Sequence, residues 1–325
     1  MTNSKQQPVP GQPPRVPAPP DPRERRTPLP DFQPKPAEED PHAPERLEAI
    51  LASPSYRSAD NDPDFLARGE VRGVRLQLDY LKAEKLLEEK GINHTVVVFG
   101  STRIAEPAAA ARRVDELTAA LAAKPDDAVL AGRLAVARRI VAKSKYYNVA
   151  RAFGRLVSTT DLRFRGDRLV VTTGGGPGIM EAANRGAFDA GADTIGLNIT
   201  LPREQFPNPY VTPELCFRFH YFALRKLHFL LRAKALVAFP GGFGTFDELF
   251  ELLTLMQTRT IKPMPVVLVG EEYWRGAVNF DYLADEGVID REDGDLFWFA
   301  ETADEIWDGI LAWHAANGEP LRPAP

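Results

Sequence analysis

Cysteine is almost missing from this chain. Cys216 stands alone among 325 residues, so no internal disulfide can form, and a cytosolic setting is expected. Within Leu215-Cys216-Phe217-Arg218-Phe219 it reads as a strand residue rather than a nucleophile. No apolar run reaches the roughly 20 residues that cross a bilayer, and the first residues lack the apolar core of a signal peptide, so no membrane contact is expected. There is no basic excess either. Forty Lys and Arg stand against 45 Asp and Glu, a net charge of −5, which argues against a general nucleic-acid binder. Histidine is scarce. His220 and His228 have no second pair at metal-ligand spacing, so no metal is expected.

Proline is abundant at one end. Residues 1–45 hold 14 of the 29 prolines, with few large apolar residues, which predicts a disordered or extended, solvated tail. Residues 46–93 follow as a helical arm, with one short helix over 44–53 and one long helix over 63–90. From 94 to 318 apolar runs of strand length alternate with helical patterns. Strands are predicted at 95–99, 169–173, 194–197, 217–220, 235–239, 265–269 and 296–299. Helices are predicted at 107–157 (two, broken at Lys124–Asp127), 179–184, 222–234, 249–257, 271–286 and 303–316, and the tail from Gly318 is expected to fray. Tyr146 and Tyr147 fall mid-helix as core or interface residues. This alternation predicts an α/β, Rossmann-like, doubly wound and mostly parallel sheet with helices on both faces.

Three strands end in glycine. Phe99 runs into Gly100-Ser101, Thr173 into Gly174-Gly175-Gly176-Pro177-Gly178, and Phe239 into Pro240-Gly241-Gly242-Phe243-Gly244. Parallel strands bring such loops to one carboxyl edge, where doubly wound sheets bind ligands. The third loop precedes a helix whose free N–H groups and dipole suit a phosphate. Thr245-x-x-Glu248 also fits a capping box, with Thr245 as cap. The second loop is neither a Walker loop, lacking Gly-Lys-Ser/Thr, nor a good dinucleotide fingerprint, since strand 194–197 ends in Asn198 without an acid placed for a ribose.

Pro240-Gly241-Gly242-Phe243-Gly244-Thr245-Phe246-Asp247-Glu248 resembles the P-G-G-x-G-T-x-x-E motif of the LOG (Lonely Guy) family, and Arg225-Lys226 resembles its Arg-Lys pair. Gly174–Met180, Gln257 and Lys262-Pro263 add to the likeness, which covers roughly 95–300. The resemblance implies a phosphoribohydrolase that cleaves nucleoside 5′-monophosphates, AMP or cytokinin ribotides, to free base and ribose 5-phosphate, with no cofactor. Arg225 and Glu248 would be the catalytic pair. Gly241, Gly242, Gly244 and Thr245 would hold the phosphate together with Lys226, and Gly100, Ser101, Gly174, Gly175, Gly176 and Gly178 would border the nucleotide. The family's old "lysine decarboxylase" label finds no pyridoxal-phosphate signature here. The arm and the long helical stretch at 107–157 resemble longer bacterial members and make AMP the simpler substrate. A carrier of nucleotide or molybdenum cofactor with the same fold is the alternative. The apolar helix at 222–233 predicts a homodimer.

Overall fold

Val96, Val97 and Val98 lie in the strand at the middle of the sheet, fully shut off from solvent. A strand buried on both faces reads as an unbroken apolar run. The computed structural model describes residues 33–160, 162–164, 167–200 and 206–323; most of the proline-rich tail lies outside them. Two compact units divide after Arg68. The first contains α1 (Ala43–Ala52) and α2 (Pro63–Leu66).

The second unit runs α3 (Arg72–Glu89), β1 (His94–Phe99), α4 (Pro107–Ala123), α5 (Ala128–Lys143), α6 (Lys145–Thr159), β2 (Leu162–Phe164), β3 (Asp167–Thr173), α7 (Ile179–Asp189), β4 (Thr194–Ile199) and β5 (Cys216–Phe219). It continues with α8 (Phe222–Leu231), β6 (Ala233–Ala238), α9 (Phe243–Gln257), β7 (Val266–Val269), α10 (Glu271–Ala277), α11 (Phe280–Asp285), β8 (Trp298–Ala300), α12 (Ala303–Ala316) and β9 (Arg322–Pro323). The main sheet is parallel throughout, in the order β5-β4-β3-β1-β6-β7-β8. From β1 the chain winds outward through β3, β4 and β5, then crosses to β6 on β1's other side. The order therefore reverses between β1 and β6, and a crevice opens there at the strands' carboxyl ends.

Alternate side chains of β1 divide the core. Val96 and Val98 pack with Phe153 of α6, Ala183 of α7 and Trp307 of α12. Val97 and Phe99 pack with Leu87 of α3, Phe229 of α8, Leu252 of α9 and Trp274 of α10. The doubly wound sheet with helices on both faces is as expected. α4 and α5 form a side hairpin around Leu117 and Leu134. One approach is unusually close. A Cβ on Gly154 of α6 would stand 2.2 Å from the carbonyl oxygen of Ala183, and one on Gly186 of α7 would stand 2.0 Å from that of Arg151.

Several boundaries differ from the sequence reading. The helix expected over 63–90 is broken after Leu66, because Gly69 starts a 3₁₀ turn; α3 begins only at Arg72 and belongs to the sheet unit. The stretch 107–157 is three helices rather than two. At Ser144 the hydroxyl donates to the carbonyl of Val141 at 2.7 Å, competing with the backbone ladder. Tyr146 and Tyr147 consequently open α6, where both are core residues. α8 ends at Leu231, so Lys234 sits in β6. Asn279 caps α11 by accepting from the N–H of Tyr282 at 3.0 Å, which splits the helix expected over 271–286. The last strand of the main sheet is Trp298–Ala300 rather than 296–299. The C-terminal tail does not simply fray: Arg322 and Pro323 pair antiparallel with β2.

Candidate functional site

The three glycine loops meet. Ser101, just past β1, donates its N–H to the carbonyl of Pro240, just past β6, at 3.0 Å. The N–H of Ile179, which opens α7, donates to the carbonyl of Ser101 at 3.1 Å. Gly178 fits between them with φ +74; a Cβ there would stand 2.4 Å from the Ser101 oxygen. The loops enclose a cleft of about 730 Å³ at the switch point, lined by Gly100, Ser101, Gly174, Gly176, Arg225, Gly241, Gly242, Gly244 and Thr245 among others. That volume suits a nucleotide-sized ligand.

α9 begins earlier than its apolar pattern suggests. Gly242 is its N-cap and Phe243 its first residue. Thr245 and Glu248 therefore lie inside the helix, and no side chain caps it, which overturns the capping-box reading. The N–H groups of Thr245 and Phe246 donate to the carbonyl of Gly242 at 2.9 and 3.1 Å, which leaves those of Phe243 and Gly244 at the helix N-terminus, where Gly242 and Gly244 line the cleft without side chains. Thr245 packs behind Gly241. The hydroxyl of Tyr273 donates to the Gly241 carbonyl and fixes the loop from α10.

Glu248 follows one turn later and is buried, with 5% of its surface exposed; it stands behind the cleft wall rather than lining it. Burial pushes its carboxyl up to about 7. Arg225, on α8, lies across from it, its guanidinium 4.0 Å from a Glu248 oxygen. Burial lowers the Arg225 pKa as well. Both shifts run against charge, so at 4.0 Å mutual attraction does not offset desolvation. Arg225 is aimed by its Nε, which donates to the carbonyl of Leu197 at 2.8 Å, and by the rings of Phe222 and Phe229 about its guanidinium. Its far end reaches the second glycine loop: a Cβ on Gly174 would stand 2.8 Å from its Nη2.

A buried polar network holds that second loop. The Gly175 N–H donates to Thr173 Oγ1 at 2.9 Å, and Thr173 donates to Asn184 Oδ1 at 2.7 Å. Asn184 donates to Thr194 Oγ1 at 2.6 Å, and Asn208 donates to both the Gly176 carbonyl and Asn184 Oδ1. Every member is satisfied, so the loop is rigid rather than merely small. Gly175 and Gly178 shape the loop without lining the cleft.

Lys226 departs from expectation. It does not line the cleft; its ammonium pairs with Asp247 and Glu251, each at 2.9 Å, on the outer side of α9. One helical position separates it from Arg225, and that rotation decides which of the two faces the loops. Gln257 likewise bonds Asp293 at 2.6 Å. Sequence reasoning missed Asn198 and Tyr273, and also Arg103, Arg139 and Lys143, all of which line the cleft. Asn198 sits near a strand's carboxyl end and could have been found by the rule that located Gly100. Tyr273 and the α5 residues carried no local signal. Among the described residues no cluster of three or more His, Cys, Asp or Glu could hold a metal, and no helix is long and apolar enough to cross a membrane.

Residues 180–310 match the family profile described as "Possible lysine decarboxylase". The chain is 29% identical over 141 residues to the cytokinin riboside 5′-monophosphate phosphoribohydrolase LOG3 of Arabidopsis thaliana, covering 42% of this chain and 64% of that protein. It is 26% identical over 155 residues to the cytokinin riboside 5′-monophosphate phosphoribohydrolase of Rhodococcoides fascians, covering 45% of this chain and 71% of that one. The chain thus spans about two thirds of the length of these relatives. A solved structure, the molybdenum cofactor binding protein of Rippkaea orientalis, aligns with a TM-score of 0.40 at 18% identity, over 67% of this chain and 94% of that one. Across the stretch that carries Arg225, Glu248 and the third glycine loop, this chain is similar to the LOG family of phosphoribohydrolases.

Proposed function

We propose that the cleft hydrolyses the N-glycosidic bond of a nucleoside 5′-monophosphate, giving free base and ribose 5-phosphate. The observation that carries this reading is a helix N-terminus behind open glycines on one wall of the cleft and the Arg225 guanidinium on the other, with the buried Glu248 carboxyl 4.0 Å behind that guanidinium. The 5′-phosphate would lie on the N–H groups of Phe243 and Gly244 at the start of α9, beside Gly242 and the Thr245 side chain. Arg225 would hold the nucleotide from the opposite wall. As the bond from C1′ to the base breaks, positive charge develops on the ribose. Glu248 as a carboxylate would stabilise that charge and take a proton from the attacking water, while the departing base nitrogen takes up a proton.

A decarboxylase would need an amine poised to form an imine, with a lowered pKa. Lys226 is the reverse: burial lowers its pKa, but its bonds to Glu251 and Asp247 outweigh burial and leave it raised. Lys143 lies on the cleft wall, on α5. We favour AMP over cytokinin ribotides as the simpler substrate, on the resemblance of the arm and the stretch at 107–157 to longer bacterial members. Incubation with AMP, GMP, CMP, UMP and an isopentenyl-adenine ribotide, with free bases resolved by chromatography, tests the reading. Release of adenine is expected; a chain that binds nucleotides and releases no base would be the carrier instead.

A homodimer in the cytosol completes the reading. The single cysteine supports the compartment. Leu227 and Leu231 lie one turn apart on α8 and are 41% and 47% exposed, and Phe243 at the cleft mouth is 96% exposed. A second copy would cover them. Sedimentation at micromolar concentration is expected to give twice the chain mass; a monomer there would leave these residues without that role.

A further inference from the structure

The cleft wall carries four cations, Arg103, Arg139, Lys143 and Arg225, and no carboxylate. The chain as a whole has more acids than bases. Elsewhere on its surface cations are commonly paired, as in Lys85–Glu88, Arg113–Glu116 and Arg151–Asp189. Among the described residues Arg103, Arg139 and Lys143 form no ion pair, whereas Arg225 donates its Nε to Leu197 and stands 4.0 Å from Glu248, leaving guanidinium nitrogens for a phosphate.

Two of the three unpaired cations come from α5, four positions apart, which places them on one helix face. Ile140 lies between them and lines the cleft too. Arg103 comes from the loop after β1, where its N–H donates to Ser101 Oγ at 3.0 Å. The phosphate of a monophosphate already has partners in the α9 N-terminus and Arg225. Three more cations without acids exceed what one phosphate requires. We infer that Arg103, Arg139 and Lys143 form a second anion subsite, so that the cleft takes a nucleotide with a second phosphoryl group, such as ADP or ATP, more tightly than a monophosphate.

This rests on the nucleotide reading of the cleft and extends it. A nucleoside di- or triphosphate would occupy the site in competition with the monophosphate and restrain its hydrolysis. A basic rim that merely attracts anions would favour all nucleotides through the encounter rate, without a step between mono- and diphosphate beyond their charge.

The test is calorimetric titration of the full chain carrying Glu248→Gln, to suppress turnover, with AMP, ADP and ATP, repeated in an Arg139→Ala, Lys143→Ala background. Both positions are helical, so alanine does not endanger the fold. ADP or ATP is expected to bind about tenfold tighter than AMP, charge-assisted bonds being the strong class, and the double variant is expected to bring that ratio close to one. Equal affinities in the parent chain, or a ratio the double variant leaves intact, would overturn the subsite. Loss of affinity for all three nucleotides in equal proportion would reduce these residues to steering and overturn it as well. Base release from AMP by the unmodified chain is read separately, so the proposed reaction can fail while the ratio stands; binding of no nucleotide would remove both.

Discussion

Glu248→Gln is expected to lower release of base from AMP by roughly 10²–10⁴-fold, the range for losing a positioned proton acceptor, while nucleotide binding persists. If the proposed reaction holds, the native chain should show an acid limb in kcat/KM near pH 7, because the carboxyl that must be ionised is held at about 7 by burial. Stability moves the other way. A Glu whose folded pKa lies above its unfolded value of 4.5 stays protonated in the folded chain while the unfolded chain ionises. The folded state therefore loses stability as pH rises from about 4.5 to about 7, and the penalty is complete above that, at roughly 3 kcal/mol. Glutamine does not titrate. The variant should match the native chain at pH 4.5 and exceed its unfolding free energy by up to roughly 3 kcal/mol at pH 8. A variant that is both active and no more stable at pH 8 would place the carboxylate outside the chemistry.

Gly186→Ala is expected to destabilise the sheet unit by about 3 kcal/mol or more, at the upper end for overpacking. Calorimetry should then show Tm lower by on the order of 10 °C. On propensity alone the sign is reversed, since alanine in a helix interior is favoured over glycine by about 1 kcal/mol. The geometry decides: the new methyl would meet the Arg151 oxygen at 2.0 Å and the Arg155 nitrogen at 2.8 Å, both backbone atoms that no rotamer can move aside. Gly132→Ala on α5 is the control, because nothing lies within 4 Å of its Cβ position; it should be neutral or slightly stabilising. A Gly186→Ala protein with native Tm would mean that α6 and α7 separate freely.

The strands of the core were legible in the sequence because each is an unbroken apolar run, and runs such as Thr95–Phe99 allow no alternative to burial. The meeting of Gly100, Gly174 and Gly241 was legible because parallel strands share one carboxyl edge. Lys226 was misread because sequence adjacency to Arg225 says nothing about which of two neighbouring helical positions turns inward. Thr245 and Glu248 looked like a cap because the box is a four-residue pattern, yet the helix starts at Phe243 for reasons that lie in the glycine turn. The Thr173–Asn184–Asn208 network had no signature. Its members come from separate elements and are joined only by folding. The close approach of Gly154 to Ala183 was hidden for the same reason.

The place of β1 sets a timetable for synthesis. It is the earliest strand of the sheet to leave the ribosome, yet its two neighbours, β3 and β6, lie far downstream. The stretch to β6 is on the order of 130 residues, so at about 5–20 residues per second the central strand waits roughly ten seconds with at least one edge unpaired. His94–Phe99 is an apolar strand of the kind that pairs with any open edge it meets. A nascent chain of this protein should therefore engage holding chaperones until Ala233–Ala238 emerges, and a chain truncated before that point should aggregate through the same six residues.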